Sequence, residues 1–170
     1  MKIWIYRIFL ILCLATVVGF ILYNSTRTGE QSAQISQGVT EDIVQIVIPD
    51  FDKLEPPVQE QKIDWLHGII RNLAHSVEFM AFAFFLTLLL ATVPFQYGRY
   101  SIPIALTLLG SFVFALADET LQGGFVGRGT SMGDVGMDML GVICGMLGAI
   151  ILDFIFCRIL SKAKNKNHGD

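Results

Sequence analysis

Four apolar runs, at about residues 3–23, 69–93, 102–117 and 135–157, leave this chain little choice of solvent. A helix needs roughly 20 apolar residues to cross the ~30 Å hydrocarbon core of a bilayer, and there each backbone polar group must be satisfied internally. Charged residues make up only 16% of the sequence, well below the roughly 25% usual in soluble domains. The mean hydropathy is +0.58. The expected fold class is therefore all-α integral membrane, with residues 1–170 forming one domain. Its architecture is a four-transmembrane-helix bundle with a long extracytoplasmic loop.

That loop, residues 24–68, opens with the turn-rich segment NSTRTGEQSAQISQG. Val39, Ile43, Ile46 and Val47 then recur at helical spacing and predict a short amphipathic helix, too short to span. Pro49, Pro56 and Pro57 break the chain, and Pro57 suits the first turn of a new helix that runs into the second span. Pro94 ends that span. Lys2 and Arg7 before the first run also suit a signal peptide. No A-x-A pattern follows Tyr23, so an uncleaved first span is expected, with Arg7 snorkelling to the interface. Cys13, Cys144 and Cys157 all fall inside apolar runs and read as buried small hydrophobes.

Lysine and arginine bias orients the spans. Lys2, Arg7, Arg99, Arg158, Lys162, Lys164 and Lys166 fall at one set of ends, and residues 158–170 form a basic tail. Arg27, Lys53, Lys62, Arg71 and Arg128 are spread over longer sequence at the other and are outnumbered by acids. Both termini are thus expected in the cytoplasm of a multi-pass cell-membrane protein. No basic patch with interleaved aromatics suggests nucleic acid.

Between the third and fourth runs, the stretch DETLQGGFVGRGTSMGDVGMD sets Asp118, Glu119, Asp134 and Asp138 beside one cation, Arg128. Charge that close to hydrocarbon is a functional-site hypothesis by default. On the second helix Asp64, His67, Arg71, His75 and Glu78 lie along one face. A solvated face explains Asp64 and His67, but Glu78 runs straight into FMAFAFFLTLLL, so Arg71, His75 and Glu78 predict a site inside the bundle. On the fourth, Asp134, Asp138, Gly141, Gly145 and Gly148 share a face, and the glycines predict close helix packing. Asp134 could be only a helix cap after Ser131, whereas Asp138, a turn deeper, needs a partner. With Gln122 four residues after Asp118, these groups describe a polar cup at the outer leaflet. The glycine-rich loop would bring Arg128 back over it. Arginine–carboxylate pairing would hold the cup together, and an unpaired arginine could take an anionic headgroup.

Three stretches resemble the VanZ-like family: YNSTRTGEQSAQIS, IRNLAHSVEFMAFAFFL and LADETLQGGFVGRGTSMGDVGMDMLGVICG. Arg71, His75 and Glu78 match its R/K-x-x-x-H-x-x-E. Asp118, Glu119, Gln122, Gly127, Arg128, Asp134, Asp138, Gly141 and Gly145 match its D-E-x-x-Q … G-R … D … D-x-x-G-x-x-x-G, with Val126 where proline is common. The resemblance implies a small envelope protein of a family named for low-level teicoplanin resistance.

The leading expectation is a nonenzymatic membrane protein of the bacterial cell envelope. It would bind a lipid or lipid-linked cell-wall intermediate at the outer leaflet and affect glycopeptide susceptibility. The expected ligand-binding residues are Arg71, His75, Glu78, Asp118, Glu119, Gln122, Arg128, Asp134 and Asp138. The alternative is a membrane hydrolase or transferase acting on a lipid or glycan headgroup, with His75, Glu78, Asp118 and Asp138 as acid/base groups or metal ligands. The H-x-x-E pair lacks a second histidine at ligand spacing, so neither a metal nor a cofactor is expected. A purely structural ion-pair network is the plainest reading of the same residues. The expected partners are membrane lipids, a lipid-linked precursor or a glycopeptide; transport through four spans would require an oligomer.

Overall fold

The computed structural model describes residues 2–96, 98–127 and 129–166. Its helices are α1 (Lys2–Ser25), α2 (Gly29–Val47), α3 (Pro56–Ala91), α4 (Ser101–Gly123) and α5 (Met132–Lys166). A 3₁₀ turn, Phe51–Lys53, separates α2 from α3. Four of them, α1, α3, α4 and α5, are long and apolar enough to cross a membrane.

The amphipathic segment is longer than its periodicity predicts. Instead of starting near Val39, α2 starts at Gly29 because Thr28 caps it: Thr28 Oγ1 accepts from Gln31 N–H and Gln31 Oε1 accepts from Thr28 N–H, each at 3.3 Å. This reciprocal box satisfies two backbone donors and turns the polar stretch after it into helix. Pro49 follows at the other end. In α3 Pro56 and Pro57 occupy the first turn, where no N–H is missed. Its 36 residues extend about 54 Å at 1.5 Å per residue, well beyond a bilayer core, and α2 packs along the part that precedes the span.

α3 is the central helix, in contact with all four others. Phe79 and Phe82 on α3 meet Phe114 on α4, with ring centroids 5.7 and 5.0 Å away, over Ile21, Ala115 and Val142. The seam with α5 is backbone on backbone. A Cβ added at Gly141 would lie 2.0 Å from Ser76 O, and one at Gly145 would lie 2.0 Å from Met80 O. Ser76 Oγ donates to Met137 O at 2.6 Å across the same seam. Gly148 is different: a methyl there would meet Phe84 Cδ2 at 3.8 Å, an ordinary contact.

Polar groups face inward and apolar ones outward, the arrangement a helix bundle adopts when its solvent is hydrocarbon. Thr87 and Thr107 bond each other at 3.1 Å in the interior, while Ile8, Leu109, Val113 and Ile151 stand exposed. The same logic corrects the cysteine expectation. Cys144 is exposed, and Cys13 and Cys157 are only half-buried, because a small hydrophobe gains nothing by avoiding lipid.

The end of the bundle that carries the termini is tied by two clamps. Arg7 donates from Nε to Thr92 Oγ1 at 3.0 Å and from Nη2 to Thr92 O at 2.8 Å, closing the C-terminus of α3. Arg99 grips Asp153 through Nε and Nη2 at 2.8 and 2.9 Å, and Tyr100 Oη donates to Asp153 at 2.8 Å. Burial first, and the bond to Asp153 second, hold the Tyr100 phenol above its usual 10.0. The folded state therefore keeps a proton that the unfolded chain loses first. That stabilisation is complete below pH 10.0 and fades as pH rises through the folded value. In detergent melts the advantage of wild type over Tyr100→Phe should shrink above pH 10.0. A constant difference between pH 8 and 11 would contradict it.

Candidate functional site

The opposite end of the bundle gathers the polar residues, and they separate into two layers. The inner layer joins α1 to α4. Asp118, 1% exposed, accepts from Ser25 Oγ and, at 2.6 Å, from Gln122 Nε2. Ser25 itself is fully buried at the last turn of α1. Two neutral donors thus satisfy this carboxylate, where arginine–carboxylate pairing is the expectation for the cup as a whole. Neutral donors avoid desolvating a second charge, so a buried acid is held without the full penalty of an ion pair.

Glu119 turns the other way and accepts the backbone N–H of Ser131 through Oε1, bracing the start of α5. Ser131 Oγ in turn accepts from Gly133 N–H at 3.2 Å. The loop between them folds back, as its glycines suggest, but onto the start of α2: Gly29 N–H donates to Val126 O at 3.2 Å. A Cβ at Gly29 would lie 2.3 Å from Gly127 O, and Gly127 has a φ of +79°, so both positions want glycine. Arg128, expected to reach over the site, lies outside the described residues.

The outer layer surrounds a small pocket of about 100 Å³ between α1, α2 and α3, lined in part by Arg27, Arg71, His75 and Glu78. Asn24 Nδ2 donates to Glu78 Oε1 at 2.7 Å, and Glu78 Oε2 stands 3.6 Å from His75 Nδ1. Glu78 is therefore oriented through Oε1 by Asn24, and its Oε2 faces the His75 imidazole beyond hydrogen-bond distance. Arg71 approaches Asp134 only to 4.0 Å and is about a third exposed, a loose pairing that leaves most of its five N–H donors for other use. Asp138, 4% exposed, lies within electrostatic reach of His75, Asp118, Glu119 and Asp134. Its Oδ1 accepts no hydrogen bond among the described residues.

The expected cup is thus resolved into distinct parts. Of the four acid/base candidates, His75 and Glu78 line the pocket; Asp118 is committed to Ser25 and Gln122, and Asp138 is buried on α5 and does not line it. No group of three or more His, Cys, Asp or Glu placed to hold a metal occurs among the described residues. Sequence reasoning missed the contribution of α1 and α2: Asn24, Ser25, Arg27, Ser32 and Ser36. Ser36 Oγ lies 2.6 Å from His67 Nε2, so His67 docks α2 rather than facing solvent, while Asp64 is exposed. The legible signal for α2 was the Thr28-x-x-Gln31 box. Nothing local marked Ser25 as the partner of a residue 93 positions away.

Four helices long and apolar enough to cross a membrane, with polar clusters at the two ends of the bundle, define a multi-pass membrane protein. The chain belongs to the VanZ/LLP1 family, whose model matches residues 8–153. No curated protein and no solved structure matched it.

Proposed function

We propose that this VanZ/LLP1 protein sits in the bacterial cell membrane with both termini cytoplasmic. There it holds the phosphate of a lipid, or of a lipid-linked cell-wall intermediate, at the outer leaflet. One observation carries the reading: the pocket of about 100 Å³ presents two guanidinium groups, Arg27 and Arg71, with Arg71 only loosely engaged by Asp134. A space of that size admits one small group, and planar N–H forks suit phosphate oxygens. The pocket also lies at the end of the bundle away from Lys2, Arg7, Arg99 and Arg158, which lysine and arginine bias places in the cytoplasm. His75 lines the same pocket, and an imidazole N–H is a further donor of the kind phosphate oxygens accept. Sequestering such an intermediate would alter its availability to a glycopeptide such as teicoplanin, which links the site to susceptibility.

Native mass spectrometry of the purified protein tests this. Wild type should retain a phosphate-bearing lipid, and Arg71→Ala should lose about tenfold in occupancy, the effect of one charge-assisted contact. Equal retention of the same lipid by both proteins would end the proposal.

A further inference from the structure

Beside the phosphate-sized pocket, the corner between α1 and α2 holds a second and larger cleft of about 480 Å³, lined by Tyr23, Thr26, Arg27, Gln31 and Gln34. Arg27 lines both cavities, so they adjoin through one side chain. Its guanidinium lies 4.6 Å over the Tyr23 ring, and its Nη2 donates to Tyr23 Oη at 3.0 Å, which fixes the shared wall.

The lining specifies the chemistry of an occupant. Arg27 is the only charged residue among the five, so a cationic headgroup finds no counter-ion there. An acyl chain would strip water from amides and a guanidinium and return no hydrogen bonds. Gln31 and Gln34 each carry both donors and an acceptor. Gln31 Oε1 is already engaged by Thr28 N–H, so Gln31 presents its NH₂. Thr26 Oγ1 donates to Tyr23 O at 2.9 Å and can accept a further hydrogen. Alternating donors and acceptors beside an aromatic ring suit a group that carries several hydroxyls on a ring with an apolar C–H face. The volume falls in the range of small-molecule sites, roughly 300–1,000 Å³, whereas the neighbouring pocket holds only one small group.

We infer that this cleft is the subsite for an uncharged polyhydroxylated ring, a sugar or cyclitol, joined to the phosphate that Arg27 and Arg71 hold. The inference rests on the phosphate reading above and adds the class of headgroup. Arg27 then contacts the linkage between the two parts, and Gln34 and Thr26 distinguish a hydroxylated headgroup from bare phosphate.

The experiment measures binding of three probe lipids to the full chain in phosphatidylcholine nanodiscs: phosphatidic acid, phosphatidylinositol and a neutral monoglucosyl diacylglycerol. Wild type should bind phosphatidylinositol about tenfold more tightly than phosphatidic acid, the effect of two or three added hydrogen bonds. Gln34→Ala and Thr26→Val should each reduce that preference and leave phosphatidic acid affinity unchanged, which also shows that the variants are folded. Arg71→Ala should weaken both phospholipids by the same factor. Equal wild-type affinity for the two phospholipids, or an unchanged preference in both variants, overturns the ring subsite. Binding of the glucosyl lipid alone, sensitive to Gln34→Ala, would keep the ring subsite and remove the phosphate reading. Binding of none of the three would remove both.

Discussion

Gly145→Ala, and equally Gly141→Ala, is expected to lower the thermal midpoint of the purified protein sharply and to reduce its amount in the membrane. In an exposed helix the same exchange stabilises by about 0.8–1.0 kcal/mol, because alanine is the better helix former. Here the added methyl would stand 2.0 Å from a carbonyl oxygen of α3, Ser76 O for position 141 and Met80 O for position 145. Backbone cannot rotate aside as a flexible side chain can, so the helices must separate. Overpacking typically costs about 1–3 kcal/mol, and separation would also stretch the Ser76 to Met137 bond. The two effects oppose each other, and the steric one is larger. Gly148→Ala is the internal control: its methyl meets only the Phe84 ring at 3.8 Å, so that variant should melt at or slightly above wild type. A Gly145→Ala protein as stable as Gly148→Ala would refute this account of the seam.

Asp118→Ala is expected to be nearly as damaging, for a different reason. It leaves buried Gln122 Nε2 without its 2.6 Å acceptor, whereas Ser25 Oγ can still donate to Ile21 O at 2.8 Å. One orphaned donor costs about 1–3 kcal/mol, and a loss of that order follows. Asp118→Asn keeps a carbonyl oxygen in place, and the loss should fall to about 1 kcal/mol. The comparison also bears on the site. If Asp118 serves mainly to join α1 to α4, Asp118→Ala should reduce folded protein and ligand retention together, and Asp118→Asn should restore both. Fluorescence-detected size-exclusion melts, read beside lipid occupancy, separate the cases. An Asp118→Ala protein of normal stability that retained no lipid would move Asp118 from scaffold to ligand contact.

Much of this arrangement is legible in the sequence because helices repeat every 3.6 residues. The spacing of Arg71, His75 and Glu78 places them on one face, and they do line one pocket. The spacing of Asp138, Gly141 and Gly145 likewise fixes a face, and that face meets α3. Asp118 and Gln122, four apart, bond each other as their separation allows. Periodicity reports which residues of one helix point together. It does not report which helix they meet, and that is where the expectations fell short. Arginine–carboxylate pairing is expected to hold the cup together, yet Asp118 meets a serine of α1. The loop is expected to bring backbone amides back over the acidic cluster; Ser131 N–H does reach Glu119, while Val126 and Gly127 dock onto Gly29 of α2. Gly148 belongs to the same stripe as Gly145, yet only Gly145 is under backbone, because a side chain rather than a carbonyl lies opposite Gly148.

The sequence by itself determined the solvent, the helices and the residues that could not rest in lipid alone. Those follow from composition, hydrocarbon thickness and helical spacing, which act within tens of residues. Tertiary structure alone decided that the polar end divides into a self-satisfied layer around Asp118 and an open one around Arg71. It also brought Asn24, Arg27 and Ser36 to the second. Those pairings join segments many residues apart, and they are selected by burial and hydrogen-bond satisfaction summed over the whole bundle, which no local pattern records.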